Sequence, residues 1–273
     1  MRGISTAVDV TVFLLLVSAS VATLALVPDP EPRDVTVDDR ANVLGSVTAD
    51  LEYRLRGSDR RSHGTVASLL ARGAVANATI DGRSLAPERD TYLEQARSVA
   101  SRVLGPANRT RAVVRWTPYR GSPVRGAVQI GPAPPPRRDV SVATLTVPVP
   151  NPSTGGSTEA KPDPDSFRDT ASVAARETVD TLLPESRATL PSNHASPARV
   201  VASNRFRTLA DATNVSVAGP LSRGNVSLAR RRIVEGLTDR FESDMRARFE
   251  TPEEAAARLR VETARITLRR WES

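Results

Sequence analysis

Cysteine is absent from the 273 residues of this chain, which excludes disulfides, thiolate nucleophiles, and cysteine-ligated metal and iron–sulfur sites. Aromatic residues make up only 4% of the sequence, so valine, leucine and alanine must build most of the core. Lysine occurs once, at Lys161, and arginine therefore carries nearly all of the +7 net charge. This arginine excess has two open interpretations: a GC-rich genome that favours arginine codons, or a surface that binds polyanions through planar guanidinium groups.

Sequence signatures of catalysis and nucleotide binding are missing as well. The chain contains neither a G-x-x-x-x-G-K-[ST] phosphate loop nor a G-x-S-x-G nucleophile elbow. Its only histidines, His63 and His194, stand in polar segments that predict loops, without another ligand at metal-binding spacing. We therefore predict a protein that is not an enzyme, with no catalytic, cofactor-binding or metal-binding residues and no nucleic-acid partner. A hydrolase with an unrecognised site is the alternative.

An apolar segment without charged residues covers residues 10–27. At about 1.5 Å of helix rise per residue, its length nearly matches the hydrocarbon core of a bilayer. Arg2 precedes the segment and a group of acidic residues follows it, so the positive-inside rule places the N-terminus in the cytoplasm. The sequence predicts a single-pass protein of the cell membrane, in contact with lipid through this segment and with its bulk extracytoplasmic. A cleaved secretory signal is the alternative, with its best cleavage site at Ser18-Ala19-Ser20.

Four N-x-[ST] sequons agree with an extracytoplasmic location, because this motif is the acceptor for N-glycosylation in exported proteins. The candidate acceptors are Asn77, Asn108, Asn214 and Asn225. Asparagine, serine and threonine also favour turns and helix caps, and Asn225 is predicted to be a helix N-cap. Glycosylation and a purely structural role are therefore both open at these positions.

The start of the chain, Arg2-Gly3-Ile4-Ser5 followed by an apolar helix, resembles the processing site of archaeal type IV pilin precursors. The resemblance implies cleavage between Gly3 and Ile4, and a helix that is a membrane anchor before assembly and filament core afterwards. The leader of three residues is short, and Asp9 occupies the sixth mature position, where many pilins have glutamate at the fifth. The whole chain also resembles an uncharacterised family of anchored halophilic archaeal proteins encoded among pilus or Tad-type secretion genes. That resemblance implies pilus or secretion-system subunits as partners and no biochemical activity.

Hydrophobic periodicity predicts an α+β fold, with an N-terminal transmembrane helix, an antiparallel sheet with packed helices, and a largely helical C-terminal part. In the first half of the chain the predicted elements are strands over 47–55, 111–118, 124–130 and 139–149, and helices over 65–78 and 88–104. A segment rich in proline, glycine and serine over 148–165 predicts a linker. The predicted organisation is a leader and transmembrane helix (1–27), an α+β ectodomain (28–147), the linker, and a mainly helical region (166–273).

The C-terminal region is predicted to contain helices over 164–183, 197–213 and 225–249, a short helix capped by Thr251, and a strand over 261–271. If that strand joins the earlier sheet, the two halves form one unit. The longest helix has an apolar residue at every fourth position, and we assign this stripe to core packing. Its arginine-rich polar face is interpreted as solvated, with an anionic membrane or an acidic partner as the alternative.

Together these features favour a structural or assembly protein of the cell surface, pilin-like or associated with a pilus or secretion system. The alternative is a single-pass module that binds an unknown ligand or partner at the surface and does not polymerise.

Overall fold

The computed structural model describes residues 36–55, 57–85, 91–105, 109–149, 165–183 and 197–271. Apart from Thr36, these residues belong to one compact unit, Val37–Ser273. The predicted leader cleavage at Gly3 and Ile4 and the apolar segment of residues 10–27 lie outside the described residues. Within the described ranges, no helix has the length and apolarity that are needed to cross a bilayer.

Runs of strands and runs of helices follow one another along the described chain, as is typical of an α+β fold. The helices are α1 (Val37–Ser46), α2 (Val66–Ala76), α3 (Tyr92–Leu104), α4 (Phe167–Leu182), α5 (Pro197–Ala212), α6 (Ala218–Ser222), α7 (Val226–Arg248) and α8 (Pro252–Ala257). The strands are β1 (Thr48–Leu55), β2 (Ser58–Thr65), β3 (Ala78–Ile80), β4 (Arg83–Ser84), β5 (Thr110–Trp116), β6 (Val124–Ile130), β7 (Val140–Pro148) and β8 (Thr263–Trp271).

Six of the strands form an antiparallel sheet in the order β4-β3-β6-β5-β8-β7, while β1 and β2 form a separate hairpin. The predicted α+β class with antiparallel pairing is therefore confirmed. The strand predicted near the C-terminal end is β8, which inserts between β5 and β7. Its residue Ile266 stands opposite Val114 on one side and Leu145 on the other.

The hydrophobic core lies between one face of this sheet and the helices. Helix α2 packs over the middle of the sheet, and α1 packs over β7 and β8. Gly126 permits the close approach of α2, since a Cβ atom there would come within 1.9 Å of the carbonyl oxygen of Ala74. The apolar stripe of α7 belongs to the same core, which confirms its assignment to packing: Ile233, Leu237, Phe241 and Met245 are fully buried.

Helix caps were predicted well because they depend on local chemistry. The Oδ1 atom of Asn225 accepts a hydrogen bond from the Leu228 N–H at 3.0 Å, and the Oγ1 atom of Thr251 accepts one from Glu254 at 3.2 Å. The carboxylate of Glu254 accepts from the N–H of Glu250 rather than that of Thr251, so the expected reciprocal capping box is only half formed.

Several elements differ from the predictions, and α1, β3, β4 and α6 have no predicted counterpart. Strand β2 was not predicted, and His63 lies within it rather than in a loop, because the sequence of Ser58–Thr65 contains no apolar residue to mark a strand. Pairing with β1, from Thr48 opposite Thr65 onward, holds it in place. Helix α4 begins at Phe167 and is capped by Ser166, three residues after the predicted start.

Candidate functional site

Within the residues that the structure describes, no candidate site forms around a histidine. His63 is exposed on β2, and its Nδ1 atom lies 2.8 Å from Oδ1 of Asp50, which is the residue opposite it on β1. His194 lies outside the described residues. Across the described ranges, no group of three or more histidine, aspartate or glutamate side chains is arranged to hold a metal ion.

Three of the four sequons lie in described segments, and the asparagine of each is exposed. The amide nitrogen of Asn77, the atom that glycosylation would modify, donates a 2.7 Å hydrogen bond to the carbonyl of Ala127. Asn225 uses its side-chain oxygen as the cap of α7. Asn214 lies between α5 and α6 with a positive φ of 56°. Asn108 lies outside the described residues.

An open polar cleft of about 650 Å³ lies where the sheet meets α7. It is lined by the β3–β4 turn, the β5–β6 connection, Arg125 at the start of β6, and the C-terminal half of α7. Two aspartates face it, and each is paired with an arginine of α7. The Arg240 guanidinium contacts the Asp81 carboxylate, and Nε of Arg248 donates to Oδ1 of Asp244 at 2.9 Å.

Tyr119 is buried and contacts one of the residues that line this cleft, Asp244. Its ring is fully buried and meets the ring of Phe241 edge-on, with centroids 5.1 Å apart. Its hydroxyl donates a 3.0 Å hydrogen bond to Oδ2 of Asp244. Burial, and then the negative charge of Asp244, raise the pKa of Tyr119 above its usual range. The hydroxyl is therefore a permanent donor rather than a base, and the cleft's carboxylates are engaged in holding α7 against the sheet.

Replacement of Tyr119 by phenylalanine tests this structural interpretation of the cleft. We expect the free energy of unfolding to fall by about 1.5 kcal/mol, because a hydrogen bond to a charged acceptor is lost while the ring contacts stay. Urea unfolding of the purified protein measures the change. The matched control is Tyr92→Phe, since the Tyr92 hydroxyl donates to the uncharged Leu69 carbonyl at 3.0 Å and its loss should cost less. Equal losses in the two variants would contradict a special role for the Asp244 pair.

The second surface is the face of the six-stranded sheet that points away from the helices, which we name the outer sheet face. Along its strands, buried residues on the helix side, such as Val114 and Ile266, alternate with residues on the outer side. Ala127 and Val142 are exposed on the outer side although both are apolar, Val142 to 54%. No described element covers this part of the sheet.

Basic side chains dominate the outer sheet face. Its arginines are Arg111, Arg115, Arg125, Arg265 and Arg269. No aspartate or glutamate occupies an outer position on the described strands of this sheet. Arg111 donates a 2.6 Å hydrogen bond to Oε1 of Gln129, whereas the other four side chains have no hydrogen bond or ion pair with any described residue.

Two pairs of these arginines stand directly opposite each other on neighbouring strands. β5 and β8 pair Arg111 with Arg269 and Arg115 with Arg265. Val113 lies between the two pairs on the same face and is only 6% exposed. Like charges at opposed positions destabilise an antiparallel pair, so the isolated fold gains no stability from this arrangement of charges.

The basic polar face of α7 is different, because most of its arginines have acidic partners. The pairs are Arg230 with Asp180, Arg240 with Asp81, Arg246 with Glu242, and Arg248 with Asp244. Two of these acids lie outside α7, on α4 and in the β3–β4 turn, so the face also joins separate parts of the fold.

A family model matches residues 8–271, which is nearly the whole chain. The chain belongs to DUF7284, a family of unknown function. No curated protein and no solved structure matches it significantly. The DUF7284 match includes the apolar segment of residues 10–27, the residues that line the cleft and every strand of the outer sheet face.

The outer sheet face was missed in the sequence because its members come from distant strands. Arg111 and Arg115 are four residues apart on β5, and Arg265 and Arg269 repeat this spacing on β8. In a strand, such spacing places both side chains on one face. The repeated spacing is the one local signal in this DUF7284 chain that points to the surface, and the strand order is needed to bring the two pairs together.

Proposed function

We propose that this protein is a non-enzymatic structural or assembly protein, anchored by residues 10–27 and displaying an extracytoplasmic α+β domain. The observation that carries the proposal is the uncharged apolar segment of bilayer length, which lies outside the compact unit Val37–Ser273. The hydrophobic core of this unit includes residues from Val37 to Leu268.

The orientation is supported by the acidic residues that follow the apolar segment and by the exposed sequons at Asn77, Asn214 and Asn225. A non-enzymatic role is supported by the chemistry of the cleft, where both aspartates are paired with arginine and Tyr119 holds its proton. Pilin-like processing between Gly3 and Ile4, and association with pilus or secretion-system subunits, are proposed from the resemblance of Arg2-Gly3-Ile4-Ser5 to archaeal prepilin sites.

A second candidate function is a single-pass binding module that does not polymerise. The outer sheet face favours this candidate, because its arginine side chains, four of which have no hydrogen bond or ion pair with a described residue, form a surface for an anionic partner without any requirement for assembly.

Mass spectrometry of the mature N-terminus tests the proposal, on protein purified from membranes of an archaeal host with and without its prepilin peptidase. We expect the mature chain to begin at Ile4, and to begin at Met1 when the peptidase gene is deleted. A start at Met1 in both strains would leave a plain anchor and favour the binding module. A start near Val21 would identify a secreted protein and overturn the anchor.

A further inference from the structure

We propose that the outer sheet face docks onto an anionic lipid surface, with its arginines on the phosphate groups of the lipids. The inference rests on the proposed membrane anchor, which would keep the domain beside a bilayer. The four arginines of the two opposed pairs give the surface its charge complementarity to anionic headgroups. Arg125 lies at the edge of this face, where it also lines the cleft with Asp81 and Asp244. A guanidinium binds phosphate through two parallel hydrogen bonds. Of the five arginine side chains on this face, four have no hydrogen bond or ion pair to a described residue that phosphate binding would have to break.

The opposed arginine pairs are the strongest part of the argument. Arg111 with Arg269, and Arg115 with Arg265, repel each other in the free protein. A layer of anions above the sheet would convert this repulsion into attraction, because each pair then shares negative groups that lie between its guanidiniums. The opposed arginines therefore stabilise the docked state and destabilise the free domain.

Other anionic partners fit this surface less well. Sheets that bind single-stranded nucleic acids offer exposed aromatic rings for base stacking. At the outer positions of the described strands of this sheet, the one aromatic residue is Trp271, and it is only 5% exposed. Protein interfaces are centred on apolar or aromatic side chains that become buried on binding, whereas Val113, in the middle of this face, is only 6% exposed in the free domain. A flat array of headgroups needs neither feature.

The reach of the chain is compatible with docking. Nine residues, 28–36, separate the apolar segment from α1, and an extended chain of that length spans at most about 30 Å. Such a tether also raises the effective concentration of the domain at the bilayer, so that weak contacts by individual arginines are sufficient.

The absence of cysteine allows a direct experiment, because one introduced cysteine is a unique labelling site. The full chain with Thr144→Cys, which places a fluorophore on the outer sheet face, is reconstituted into nanodiscs containing lipids with a nitroxide on the headgroup. Discs of phosphatidylcholine alone are compared with discs in which a third of the lipid is phosphatidylglycerol. Glu235→Cys on the exposed face of α7 is the control label.

We expect quenching of the Thr144 label, and not of the Glu235 label, in the anionic discs. In an Arg115→Gln/Arg265→Gln background, the ratio of docked to undocked protein should fall by about fivefold for each arginine removed. The charge-matched control Arg60→Gln/Arg231→Gln, at exposed positions away from this face, should leave the ratio unchanged. Thermal unfolding at low salt checks folding, and the Arg115→Gln/Arg265→Gln variant should be at least as stable as the parent.

Quenching that is equal in neutral and anionic discs, or insensitive to the Arg115→Gln/Arg265→Gln change, would overturn the proposal. So would tighter binding of poly-glutamate or single-stranded DNA than of anionic lipid, which would assign the face to a protein or a nucleic acid. If residues 10–27 do not anchor the protein, the chain will not co-purify with discs of either composition, and this result is distinct from a loss of quenching. In that event, flotation with vesicles of the same two compositions tests the outer sheet face by itself, and equal flotation with both would overturn lipid docking.

Discussion

Replacement of Gly126 by alanine is expected to lower the free energy of unfolding by about 3 kcal/mol or more, at or above the upper end of the usual range for overpacking a core. The new methyl group would stand 1.9 Å from the carbonyl oxygen of Ala74 and 2.8 Å from its carbonyl carbon. These are backbone atoms of α2, so no side-chain rotation can relieve the clash. The helix would have to move away from the middle of the sheet, where it covers β5 and β6.

Urea unfolding of the full chain, monitored by tryptophan fluorescence, measures this loss. Gly45→Ala is the matched control, because a Cβ atom there would meet only Leu145 Cδ2, at an ordinary 3.7 Å. Since Gly45 lies in α1, alanine should leave stability unchanged or raise it by up to about 1 kcal/mol. Similar unfolding curves for the two variants would refute the close approach of α2 to β6.

Replacement of Arg230 by methionine should lower stability by about 2 kcal/mol or more at neutral pH, because breaking a buried ion pair leaves a charge in a poorly solvated place. Arg230 on α7 contacts the carboxylate of Asp180 on α4 through both Nε and Nη2, with Nε at 3.0 Å. The Asp180 side chain is only 3% exposed. Arg246→Met on the same helix is the control, because the Arg246 side chain is 59% exposed and solvent weakens its ion pair with Glu242, so its loss should cost much less.

Features fixed by neighbours in sequence could be predicted. The α7 stripe has an apolar residue at every fourth position, and the caps at Asn225 and Thr251 act within three residues of themselves. The final strand was recognisable because β-branched residues alternate with charged ones in Thr263–Trp271. In each case one local period or one side chain determines the structure.

Features fixed by distant pairing could not be predicted. Strand β2 has a wholly polar sequence and is held only by its register with β1. Gly126 is needed because α2 crosses β6, a contact with no trace in the residues around it. The opposed arginines of the outer sheet face come from strands separated by about 150 residues, so their repulsion emerges only when β8 enters the sheet beside β5.

The position of β8 has a consequence for how the protein is made. β7 and β5 are not neighbours, since β8 lies between them, yet β8 follows β7 by more than a hundred residues. While the chain emerges from a ribosome or an export channel, β5 and β7 therefore lack their shared partner, and their unpaired edges are open to wrong strands. Sheet completion must wait until residues 263–271 have passed. For the extracytoplasmic domain that we propose, this order of synthesis favours export as an unfolded, protected chain that folds on the far side of the membrane.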